Sequence, residues 1–337
     1  GIHGNATCAL NFDGAIGYLL GDEDIGLKAM FTFMNLARLG TSFQGLAHCE
    51  RGYQSAINYA NERLQMRSLA GAKYPAMAAD PIIVHPDVRR MVLHNKAMAE
   101  GLRAMLYRVS LTADLATYGK DAATRKAASK RLALMTPITK AFSTEQGIEC
   151  ASNAVQTMGG HGYIREWGVE QNLRDARIAT IYEGTTGVQA LDLLGRKVMA
   201  DNGVELRGLL AEMLQSCDMS SHPMLAASLR REIEALQAVA EHVLAAALNN
   251  RDEIGAASVD FLMNCGYVIV AHEWLVMADL AQSKLGEGDD AFYQAKIDTA
   301  RFYFAKVLPR TASLQACIYQ GADSLMSHSA LLTGDNL

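Results

Sequence analysis

The chain has 337 residues, half of them hydrophobic and a fifth charged, with a formal net charge of −5. That balance leaves no basic surface for nucleic acid and is too mild for a disordered acidic chain. Only 6 residues are Pro, so good helix formers run with few breakers and the chain reads as mainly α, long enough for two domains.

Residues 7–12 read as a short strand closed by a turn at Asp13-Gly14. A second apolar piece, residues 18–20, ends at Gly21, so residues 1–24 read as the end of a β-domain. From Gly26 the spacing turns helical. A long helix is expected over 26–63, then a loop over 71–86 holding Pro75, Pro81 and Pro86. A second long helix is expected over 87–116, and a third over 121–158 that Pro137 kinks or divides. A glycine turn at 159–162 and short helices over 169–178 and 184–200 follow. Long helices with short connections make residues 25–200 an antiparallel bundle.

Asp201-Asn202-Gly203 breaks the pattern, and residues 201–337 read as an additional helical domain. Four helices are expected over 204–320, with breaks near 220–223, 249–250 and 286–289. The end, 321–337, is small and polar and reads as frayed. The opening Gly1-Ile2-His3-Gly4 lacks Met, and the chain is expected to be part of a longer one.

The six cysteines lie far apart with no CxxC pair, which argues against a zinc site or disulfide framework and fits a reducing, cytoplasmic compartment. His242 and His272 have no partner at metal-ligand spacing, so no metal is expected. No apolar run is read as reaching the ~20 residues of a membrane span.

Two features bear on chemistry. Gly160-x-Gly162 starts like a dinucleotide fingerprint, but Arg165 stands at the third glycine position and a helix precedes it. Glu183 follows Tyr182 and precedes Gly184-Thr185-Thr186-Gly187. Such a glycine-flanked corner can aim a carboxylate into a pocket beside free backbone N–H groups.

The order Gly159-Gly160-His161-Gly162-Tyr163, then Leu173-Arg174-Asp175-Ala176-Arg177-Ile178, then Ile181-Tyr182-Glu183-Gly184-Thr185-Thr186-Gly187-Val188-Gln189 resembles the acyl-CoA dehydrogenase family. Upstream, Tyr59-Ala60-Asn61-Glu62-Arg63-Leu64-Gln65 resembles that family's YAxxRxQFG segment. The opening four residues and residues 10–13 resemble the end of its middle β-domain, so the likeness covers residues 1–200. The stretch 71–90 and the extra C-terminal helices resemble a large bacterial branch.

The resemblance implies the C-terminal part of an FAD-dependent enzyme that converts an acyl-CoA thioester to a trans-2-enoyl-CoA. Glu183 would abstract the α-proton and FAD would take the β-hydride. It implies FAD contacts at Arg63, Gln65, Gln156, Gly159, Gly160, Thr185 and Gly187, with Arg63 and the 156–160 segment facing a partner subunit's FAD. It implies substrate-side positions at Phe33, Arg38, Tyr182 and Gly184, Arg38 holding the Glu183 loop by an ion pair as the alternative. An electron-transfer flavoprotein is the expected acceptor, and a homodimer or homotetramer the expected assembly. Two departures bear on the flavin contacts: Met66-Arg67 stands where the family has Phe-Gly, and Gly187 where many members have Gln. An acyl-CoA oxidase would use the same base. A non-catalytic helical oligomerisation module is the reading from a different class, and the setting of Glu183 argues against it.

Overall fold

A computed structural model describes residues 2–327. Three long helices form the bundle: α1 (Gly26–Glu62), α2 (Pro86–Tyr118) and α3 (Ala122–Met158). Asp121 caps α3 by accepting from the Thr124 N–H at 2.7 Å. Pro137 does not divide α3, which runs on past it as one helix. The missing hydrogen bond is tolerated because residues 134–144 are buried throughout, so packing fixes this stretch. α1 and α3 meet backbone to backbone. A Cβ built on Gly45 would sit 2.3 Å from the Ser143 carbonyl oxygen, so only glycine permits this approach.

A one-turn helix, α4 (Gly160–Tyr163), occupies the expected glycine turn, and α5 (Val169–Ala179) follows. The helix expected over 184–200 starts later and changes type. It is α6 (Thr186–Leu191) continuing into a π-helical stretch, Asp192–Val198. Beyond the turn at Asn202 and Gly203 come α7 (Val204–Met219), α8 (Pro223–Ala246), α9 (Asp252–Lys284), α10 (Asp290–Lys306), α11 (Thr311–Ile318) and the short α12 (Asp323–Met326). The three expected breaks all fall between helices. A 3-10 turn at Leu308–Arg310, built on Pro309, adds a break that splits the expected last helix into α10 and α11. Residues 328–337 of the expected frayed end lie outside the described residues.

Residues 7–12 form no strand, and among the described residues there is none at all. A strand needs a neighbour to take its hydrogen bonds. Here residues 2–24 are exposed, with Leu10, Phe12 and Tyr18 open to solvent.

α9 is long and apolar enough, by length and composition, to cross a membrane, which corrects the reading that no run reaches that length. The fold puts it in the core instead. It packs against α2, α3, α6, α7, α8, α10 and α11. Trp274 is fully buried and its Nε1–H donates to the Ala97 carbonyl at 3.0 Å. One apolar cluster therefore runs from Leu39 on α1 to Ile318 on α11, across the break at residue 201.

A polar clasp reinforces this join. Arg310 reaches Glu149 with both terminal nitrogens at 2.8 Å, and His94 Nε2 lies 3.4 Å from the same carboxylate. Burial pushes His94 down to about 4, against the pull of Glu149. Burial raises Glu149, but Arg310 outweighs it and holds the carboxyl below its usual value. Both groups bind protons more weakly folded than unfolded. Stability is therefore present above about pH 6.5 and falls as pH drops toward 4. For His94 the loss is on the order of 3 kcal/mol. Urea unfolding of His94→Gln across that window is expected to show a flatter pH dependence than the unaltered protein.

Candidate active site

Two places on the bundle collect the singled-out residues. The first is a cleft of about 470 Å³ where the C-terminal ends of α1 and α3 meet. Arg63, Gln65, Gln156, Gly159 and Gly160 all line it. Arg63 caps α1 in an extended conformation, which turns the chain out along the cleft. Its guanidinium pairs with no carboxylate among the described residues and is exposed. At Gly159 and Gly160 a Cβ would meet no protein atom, so the backbone lies bare to the cleft. Tyr59 completes the rim, hydrogen-bonded to His161 Nδ1 at 2.9 Å, and the His161 ring stacks on Trp167.

The segment after Arg63 is held by the loop expected over 71–86, a stretch to which sequence reasoning assigned no role at the site. Leu64 pairs with Pro81 in an antiparallel bridge, and Gln65 N–H donates to the Asp80 carbonyl at 3.0 Å. Asp80 is buried and accepts from the N–H groups of Ser68, Lys73 and Tyr74 and from Arg67. Arg67 also donates to the carbonyls of Tyr74 and Met77. Burial pushes the Asp80 carboxyl up, but these donors outweigh it and hold it at about 2. The anion is thus retained above the ordinary 3.8 and lost as pH falls toward 2. Arg67, one of the two departures from the family pattern, is this loop's clamp. Asp80→Asn is expected to loosen the Arg63–Gln65 edge, read as faster amide hydrogen exchange over residues 65–80, with helix content by circular dichroism unchanged.

The second place is the corner at Glu183. Thr180 ends α5 and Thr185 caps α6, its Oγ1 accepting from the Val188 N–H at 3.3 Å. Between them Glu183 adopts φ 58° and Gly184 φ 88°. A left-handed conformation at a non-glycine residue costs energy and persists only where surroundings hold it. Four contacts do so. Gln189 Nε2 donates to the Glu183 carbonyl at 3.0 Å, and Lys140 Nζ donates to the Gly184 carbonyl at 2.7 Å. Thr186 Oγ1 donates to Glu145 at 2.6 Å, and the Tyr182 hydroxyl donates to Gln44. Glu183 Oε2 is buried and has no hydrogen-bond partner. A buried carboxylate oxygen with no donor facing it is an exception among buried polar groups, and Glu183 lines neither the first cleft nor the cleft around Arg38.

Arg38 does not pair with Glu183. Its carboxylate partner is Asp192, at 4.0 Å, and its Nε is buried without a partner. Arg38 lines a second cleft of about 520 Å³ with Phe31, Asn35, Val188, Arg196 and Lys197. Phe33 is exposed and lines neither cleft. Thr185 and Gly187 lie with the Glu183 corner, away from the first cleft. Sequence reasoning missed Lys140 and Gln189. The available signal was a lone Lys inside an otherwise apolar and small-residue stretch of α3. Arg174 pairs with Glu170, one turn back, rather than with its neighbour Asp175.

The comparisons give the chain a family. Residues 24–199 match the family model "Acyl-CoA dehydrogenase, C-terminal domain", and residues 209–329 match "Acetyl-CoA dehydrogenase C-terminal like". The chain belongs to the acyl-CoA dehydrogenase family. It is 41% identical to the 3-methylmercaptopropionyl-CoA dehydrogenase of Ruegeria pomeroyi, over 98% of this chain and 56% of that protein. It is 32% identical to the broad-specificity linear acyl-CoA dehydrogenase FadE5 of Mycobacterium tuberculosis, over 94% of this chain and 55% of that protein. The solved acyl-CoA dehydrogenase of Bacillus anthracis complexed with FAD shares the fold, with a TM-score of 0.68 at 15% identity, covering 87% of this chain and 50% of that one. The chain thus spans about half the length of the curated relatives it matches.

Proposed function

We propose that this chain supplies the base and part of the cofactor cleft of an FAD-dependent enzyme that dehydrogenates an acyl-CoA thioester to a trans-2-enoyl-CoA. The observation that carries the reading is Glu183, held in a left-handed corner with a buried, unpartnered carboxylate oxygen. A thioester α-proton is too weakly acidic for a carboxylate in water. A base fixed in place gains orientation toward the bond it attacks. Glu183 takes the α-proton, and the backbone N–H groups of the corner offer donors for the charge that develops on the thioester oxygen. The cationic cleft beside it, with Arg38, Arg196 and Lys197, suits the phosphates of the CoA.

The first cleft fits FAD by its donor set. Arg63 offers an unpaired guanidinium fork for a pyrophosphate, and bare glycine backbone allows close approach. Bound flavin supplies the acceptor for the β-hydride. Eighteen residues of α3 separate Lys140, at the corner, from Met158, at the cleft, which is about 27 Å of helix. That far exceeds the distance from a flavin's pyrophosphate to its ring. The separation supports a homodimer in which one copy's cleft holds the flavin that serves its partner's Glu183. An electron-transfer flavoprotein is the acceptor we assign to the reduced enzyme.

The test is the visible absorption spectrum after incubation with FAD and gel filtration, beside the molecular mass from light scattering. A flavin band that elutes with a dimer is expected for the holoenzyme. Arg63→Ala that retains flavin as well as the unaltered protein would remove the cleft from the reading.

A further inference from the structure

Lys140 lies in the middle of α3 and is fully buried, an unusual place for an ammonium group. Among the described residues its one hydrogen bond goes to the Gly184 carbonyl, next to the proposed base. A neutral carbonyl alone does not offset the cost of burying a full charge. The charged groups facing Lys140 explain it: Glu183 at the corner and Glu145 on α3 attract it, and Arg38 on α1 repels it. Burial and Arg38 push the ammonium down to about 8 against the two carboxylates, so it is still charged at neutral pH.

From this arrangement, and resting on the assignment of Glu183 as the base, we propose that Lys140 is a positioning residue that locks the Glu183 corner by anchoring the Gly184 carbonyl. The geometry separates two tasks. A direct Lys–Glu pair would occupy the lone pairs that must accept the substrate proton. Lys140 instead grips the carbonyl of the following residue, leaving Oε2 open. Gln189 holds the Glu183 carbonyl from the other side, so the two side chains clamp successive carbonyls of one turn.

The test compares Lys140→Met, Lys140→Gln and Lys140→Arg in the FAD-loaded holoenzyme. Two readouts are taken: kcat and KM separately with an acyl-CoA thioester, and hydrogen exchange of the amides at residues 182–187. Removing the ammonium is expected to change KM little, because the binding clefts are untouched. It is also expected to speed exchange at the corner and to lower kcat by about tenfold or more, with flavin absorbance unchanged. Lys140→Arg is expected to recover kcat in part, because a charged donor returns. Lys140→Gln keeps a donor for the Gly184 carbonyl and serves where Lys140→Met does not fold. A kcat and exchange rates unchanged in both neutral variants would overturn the role of Lys140. Glu183→Gln, measured beside them, separates the two readings, since full turnover in that variant removes the base and not the corner's anchor.

Discussion

Glu183→Gln is expected to retain FAD as the unaltered protein does and to lose turnover by roughly 10²–10⁴-fold, the usual contribution of a positioned general base, or more. The amide keeps the size of the carboxyl and donates where the base must accept. Nothing else in the corner can take over. Glu145 is engaged by the Thr186 hydroxyl at 2.6 Å, and Tyr182 is bound to Gln44. The strained backbone at residue 183 is held by contacts to main-chain carbonyls, so changing the side chain leaves the corner's shape in place. KM should move far less than kcat, because the lost interaction belongs to the transition state. Turnover within a few-fold of the unaltered protein would sink the assignment.

The second large effect is on stability. Trp274→Ala removes the largest fully buried side chain in the centre of α9 and leaves the Ala97 carbonyl without its indole donor. The cost is expected at about 3–5 kcal/mol in urea unfolding. The site has little room to collapse. Gly101 is so close that a Cβ on it would meet Val270 at 2.6 Å and the Trp274 Nε1 at 2.8 Å. Because α9 touches both halves of the chain, the loss should appear as one cooperative transition at lower urea, with no separate melting of residues beyond 201. A change below about 1 kcal/mol would mean that α9 is not the shared core.

Helices were legible where local signals agree. Gly26, the prolines at 75–86, Asp121 and the breaks after Met219, Ala246 and Lys284 are each visible in the residues themselves. Of the two expectations at Pro137, a kink or a division, the division does not occur because tertiary burial overrides a local breaker. The apolar stretch of α9 was missed because Glu273 and His272 interrupt it. Arg108 pairs with that glutamate at 2.6 and 2.8 Å, which makes its burial tolerable. At the site, Glu183 and the five cleft residues stood out through motif order. Lys140, Gln189 and the Asp80 hub did not. They act on backbone carbonyls and N–H groups brought close only by folding, and no spacing along the chain announces such contacts.

The most direct measurement is anaerobic mixing of the FAD-loaded protein with a saturated acyl-CoA thioester, following the visible flavin band through a single turnover. We expect the band to bleach, with one trans-2-enoyl-CoA formed per flavin, and Glu183→Gln to leave it unbleached on the same timescale. A flavin band that persists in the unaltered protein across short, medium and long acyl chains would contradict the dehydrogenase reading.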